Sequence, residues 1–91
     1  MHDRVWCVIE RAEDVPGEWV AHCLDFDVVT QGLTLQHAYE MLMESIAIVV
    51  VDDLKAGRRP RDRRAPQEFW DLPAGLGFAV DIDEAQLRKL L

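Results

Sequence analysis

Residues 19–57, WVAHCLDFDVVTQGLTLQHAYEMLMESIAIVVVDDLKAG, decide the fold. They read as a strand, a tight turn and one long amphipathic helix. Gly32 suits the turn because it takes positive φ at no steric cost. Thr34 is placed as an N-cap, its hydroxyl accepting from a free amide of the first turn. His37 stands where a capping box has Glu or Gln, so the box is incomplete. Leu33 and Ala38 are spaced for a weak hydrophobic staple. From Leu35 the apolar residues recur at helical spacing. Leu35, Ala38, Leu42, Ile46 and Val49 make one stripe, widened by Tyr39, Met43, Val50 and Leu54. Gln36, Glu40, Glu44 and Asp52 fall on the opposite side. An apolar band with a polar back belongs to a helix lying on a sheet. Lys55 suits the C-terminal end of the helix dipole, and Gly57 suits the C′ position. The run Ile46-Ala47-Ile48-Val49-Val50-Val51 is β-branched and costs helix propensity, so burial must override propensity there.

Upstream, residues 4–12 (RVWCVIERA) are β-branched and aromatic enough for a strand. Val5, Cys7 and Ile9 share one face, and Trp6, Val8 and Glu10 the other. Both faces start apolar, which suits an inner strand or one covered by a second subunit. Pro16-Gly17 marks a corner, and residues 18–24 return as an antiparallel strand. If Ala12 lies opposite Glu18, then Cys7 lies opposite Cys23. Two buried thiols outweigh a disulfide there. A zinc site is excluded by His22 falling on the other face of its strand. A bend near Leu24-Asp25 leads to a short third strand, residues 26–31.

Downstream, residues 58–75 hold Pro60, Pro66, Pro73 and the run RRPRDRR, and read as an Arg/Pro-rich surface connection pinned by Phe69, Trp70 and Leu72. Residues 76–82 resemble a fourth strand. Asp83 then caps a short helix with Leu87, Leu90 and Leu91 on one side. The order is β-β-β-α-β-α. That is an α+β fold of a three-stranded antiparallel meander, a fourth strand, one long helix packed on the sheet and a short C-terminal helix. Residues 1–91 make a single domain.

The formal net charge of −7 argues against general nucleic-acid binding and fits a basic partner or plain solubility. The charge is uneven: residues 58–64 carry five Arg and one Asp, a local +4, so the rest of the chain carries −11. That run reads as a solvated loop, or as pairing with the acidic face of a second subunit, before it reads as a phosphate contact. Aromatic residues do not interleave it as they do in single-strand binders. No apolar run approaches the ~20 residues that span a bilayer. Met1-His2-Asp3-Arg4 is no secretory leader, so the expected compartment is the cytoplasm.

At CLDFDVVTQGLTLQHAYEML the chain resembles the HicB-type antitoxins. The matching residues are Cys23, Leu24, Asp27, Val28, Val29, Thr30, Gln31, Gly32, Thr34 and Ala38. The hairpin with Trp19 and the spacing of Gly57 and Pro60 also fit. Leu33 and His37 stand where the pattern has Asp and Glu, which removes acidic groups from the helix start. The resemblance covers residues 4–60 well and 76–82 loosely. It implies a partial ribonuclease-H-like fold. It also implies binding to a small basic toxin, a HicA-type messenger-RNA ribonuclease, whose active site it covers. The alternative is an orphan HicB-like dimeric interaction or regulatory module with a different protein partner. Family members often carry a further DNA-binding domain. The eight or nine helical residues at the end of this sequence are too few for one, so autorepression by this chain alone is not expected.

A nuclease of ribonuclease-H type needs carboxylates converging on two metal ions, one of them in the middle of the first strand. That strand offers only Glu10 near its end. Asp25, Asp27, Asp52 and Asp53 read as solvated loop and helix-end charges. The expected protein is therefore not an enzyme and has no metal or cofactor. Asp25, Asp27, Glu40 and Glu44 are the candidate partner-binding residues, an acidic face for a basic toxin. A homodimer or higher oligomer is expected, because the apolar first strand and Leu87, Leu90 and Leu91 need covering.

Overall fold

Alternation of inward Val5, Cys7 and Ile9 with outward Trp6 and Val8 makes the first segment a strand with two usable faces. In the computed structural model, which describes residues 2–71 and 75–89, that strand is one of the two inner strands of a four-stranded antiparallel sheet. The strands are β1 (His2–Arg11), β2 (Trp19–Cys23), β3 (Val28–Gly32) and β4 (Leu76–Asp83), in the order β3-β2-β1-β4. The β1–β2 corner is the turn Val15-Pro16-Gly17-Glu18. The Glu18 N–H donates to the Val15 carbonyl at 3.2 Å, and Gly17 has φ +85°. Proline followed by a left-handed glycine is the pattern of a type II turn. It sets the register with Cys7 opposite Cys23, as the pairing of Ala12 with Glu18 requires.

The long helix α1 spans Leu35–Lys55. Thr34 is its N-cap and accepts from the His37 N–H at 3.0 Å. His37 does more than its side chain promised. Its Nδ1 accepts from the Leu33 N–H at 3.1 Å, a reciprocal bond like that of a capping box. Leu33 is 67% exposed, so no staple forms. Gly32 differs from the expectation in its reason. It lies outside the positive-φ residues, and what demands glycine is close approach. A Cβ here would sit 2.7 Å from the Ala38 Cα and closer still to the Ala38 amide nitrogen. The β-branched run stays helical, with Ile46 and Val50 buried.

α1 buries Ala38, Leu42, Ile46 and Val50 against Val5, Cys7, Ile9, Ala21, Cys23 and Val28 of the sheet and Phe26 of the β2–β3 turn. The fifth buried place on this line is Asp53, where the periodicity has no apolar residue to offer. β4 pairs with β1 along its full length, from His2–Asp83 to Ile9–Leu76. Helix α3 (Glu84–Arg88) follows, with Asp83 accepting from the Gln86 N–H at 3.2 Å. Leu87 packs against the core, while Leu72, Pro73, Leu90 and Leu91 lie outside the described residues.

The third strand is shorter than its apolar alternation suggests. Residues 24–27 form the turn, and Asp27 takes φ +51°, which residues 26–31 read as a strand would not allow. The connection after α1 is ordered. It contains a 3-10 turn at Pro60–Arg63 and helix α2 at Gln67–Asp71, with Ala65 buried. No helix among the described residues is long and apolar enough to cross a membrane.

Candidate partner-binding surface

The turn between β2 and β3 gathers the acidic residues that lie nearest to chemistry. At the Trp6–Leu24 position the Leu24 N–H donates to the Trp6 carbonyl at 2.8 Å. The return bond is missing, because the Leu24 carbonyl accepts from the Ala65 N–H instead. Asp25 fills the gap: its Oδ2 accepts from the Trp6 N–H at 2.6 Å. Its Oδ1 accepts from Arg61 at 2.8 Å, and the same guanidinium donates to the Arg4 carbonyl at 2.9 Å. Asp25 is thus a ladder-completing group held by a counter-charge, where the sequence suggested a solvated loop charge.

Asp27 is held differently. Its left-handed backbone aims Oδ1 at His22 Nε2, 2.8 Å away. His22 is 9% exposed and sits mid-β2, between Val8 and Val29, on the sheet face away from α1. Phe69 of α2 meets it edge-to-face at 5.2 Å between centroids. These residues, with Val20, Leu24 and Glu10, enclose a cleft of about 270 Å³.

Glu40 and Glu44 lie elsewhere. Both are exposed on the outer side of α1, and Glu40 accepts from Gln36 at 3.0 Å. The structure therefore brings Asp25 and Asp27 together in one turn. It leaves Glu40 and Glu44 on the helix, across the sheet from the His22 face.

Arg58, Arg61, Arg63 and Arg64 of the Arg run each bond to their own chain, so the run is not a free loop. It is a clasp on its own chain. Arg63 donates to Asp53 through Nε at 2.6 Å and Nη2 at 2.8 Å, and Arg58 adds Nε at 3.0 Å. Hydrogen bonding from Arg63, joined by Arg58, holds the buried Asp53 carboxyl down at about 2 against the opposing pull of desolvation. Arg64 lies over the Trp70 ring at 4.4 Å, and the Trp70 indole N–H donates to the Ala65 carbonyl. Phe69 and Trp70 thus pin the connection, as their apolar character suggested. The sequence reads Asp53 as a solvated helix-end charge; its place on the buried line of α1 is what requires nearby cations.

Cys7 and Cys23 are free, fully buried thiols on the α1 side of the sheet. Hydrogen bonding between them, and then burial, push the Cys7 thiol up. His22 lies on the other face, so the three cannot converge. Among the described residues no three His, Cys, Asp or Glu side chains group as a metal site would. Asp25, Asp27 and Asp53 each answer to a separate partner within the fold.

Comparison of the chain with protein-family models, with curated proteins and with solved structures finds no match.

Proposed function

We propose that this domain is an antitoxin-like protein that binds and neutralises a small basic messenger-RNA ribonuclease of the HicA type. It works as a homodimer in the cytoplasm and carries no active site of its own. The observation that supports this most is the position of the run Asp27-Val28-Val29-Thr30-Gln31-Gly32-Leu33-Thr34. It forms the passage from turn to edge strand to capped helix, with Gly32 packed on the helix backbone and Thr34 capping it. The residues that carry the family resemblance are therefore the ones that join helix to sheet. The sheet also keeps one face away from the helix, where Trp6 is 41% and Val29 59% exposed. Apolar side chains grouped on such a face mark protein-contact surfaces. The negative charge of the chain outside the Arg clasp complements a basic partner.

The test is co-expression with any small basic protein found encoded beside this chain. The expected results are a co-purifying complex, protection of messenger RNA from cleavage and restored growth. Failure of any adjacent nuclease to bind or to be silenced would remove the proposal. A stable complex with a basic protein that cleaves no RNA would instead mark the domain as a HicB-like interaction module for a different partner.

A further inference from the structure

The cleft on the open face of the sheet has a composition of its own. Its walls are apolar, from Val8, Val20 and Val29 on three neighbouring strands, and its floor is His22. Its volume, about 270 Å³, falls below the roughly 300–1,000 Å³ of small-molecule pockets. It suits one long side chain better than a cofactor. The acidic groups stand at its two ends. Glu10 pairs with Val20, and Asp27 bonds to His22, two residues further along β2. Among the described residues no Lys or Arg lines it.

We propose that this cleft receives an arginine side chain of a basic protein partner. The proposal rests on the partner reading above and names where that partner is gripped. The aliphatic stem of arginine lies along the valines, as long cationic side chains do on apolar surface. The guanidinium meets carboxylate at either end, and its planar donors match carboxylate geometry. Asp27 uses Oδ1 on His22, and its side chain stays 43% exposed, so Oδ2 remains open to a donor. A left-handed aspartate is uncommon, and the His22 bond fixes this one facing the cleft. Phe69 is braced by His22 yet 46% exposed, so its ring remains open to a cation. Arginine is also among the residues that dominate protein interfaces.

The experiment titrates the full, isotope-labelled chain with Nα-acetyl-arginine amide, using the neutral Nα-acetyl-citrulline amide as control. Saturable shifts of the His22, Asp27 and Phe69 amide signals are expected with the arginine probe alone. The double variant Glu10→Gln, Asp27→Asn should weaken binding by about tenfold or more. Asparagine tolerates left-handed backbone, and an unchanged urea midpoint would show that the variant is folded. Equal binding of citrulline, or no effect of the double variant, would overturn the proposal. So would cleft signals that respond to dilution of the free protein and to no probe, because a second copy would then fill the cleft. The partner reading fails separately. If Glu40→Gln, Glu44→Gln abolishes nuclease neutralisation and the cleft variant leaves it intact, the cleft proposal falls and the partner stands. If arginine binds as described but no nuclease does, the cleft stands and the partner reading falls.

Discussion

Gly32 and Asp53 show how much a single side chain, or its absence, decides. A methyl group at Gly32 would press on the backbone of α1 at Ala38, which cannot yield as a flexible side chain would. Gly32→Ala should therefore cost about 1–3 kcal/mol, the usual range for overpacking, read as a lower urea midpoint. Asp53 is 1% exposed and held by two guanidinium groups. Asp53→Asn should cost about 1.5–3 kcal/mol, the range for a hydrogen bond to a charged group. The sign of its pH dependence follows from its depressed carboxyl, at about 2 when folded against an ordinary 3.8. Its contribution is complete above pH ~4 and is lost as the pH falls toward 2. Urea midpoints across that window should fall less steeply in Asp53→Asn than in the parent chain. The sequence singles out Gly32 for another reason, and reads Asp53 as a solvated helix-end charge. A positive-φ corner and a backbone pressed against a helix both ask for glycine, and only distances separate them.

At the scale of elements, residues 58–71 act as a strap and not as a linker. They tie the C-terminal end of α1 through Asp53, the start of β1 through the Arg4 carbonyl, and the β2–β3 turn through Asp25 and the Leu24 carbonyl. The guanidinium groups within the strap are unequal. Arg63→Ala should lower the urea midpoint and speed amide exchange at Ala65, because it strips the buried Asp53 of its main partner. Arg59→Ala, which changes none of these contacts, should leave both unaltered. Equal losses in the two variants would show that net positive charge matters and pairing does not. The exposed Arg4–Asp81 pair, open to solvent on both sides, adds little beside them.

For the whole molecule, the arrangement of the described residues leaves one sheet face against α1 and the other partly covered by Phe69. Trp6, on that second face, lies over Gly77 and stays part-exposed. The homodimer expected from the apolar first strand is checked by light scattering at micromolar concentration, which should give about twice the 10.4 kDa of one chain. A value near one chain would remove it. The sequence by itself determined the order β-β-β-α-β-α apart from the short helix α2, the length of α1, the Thr34 cap and the Cys7–Cys23 register. Each is written in local periodicity, in turn chemistry or in the counting of a short hairpin. Only the tertiary structure decided that Asp25 completes a strand ladder, that the arginines close on Asp53, and that His22, Asp27, Glu10 and Phe69 share one cleft. Some of those contacts join residues far apart in the chain, as Asp25 with Arg61 and His22 with Phe69, and the nearer pairs of Asp53 with Arg58 and His22 with Asp27 depend on how their segments pack. No local pattern encodes them, because partner choice there depends on which surfaces the packed sheet and helix leave within reach.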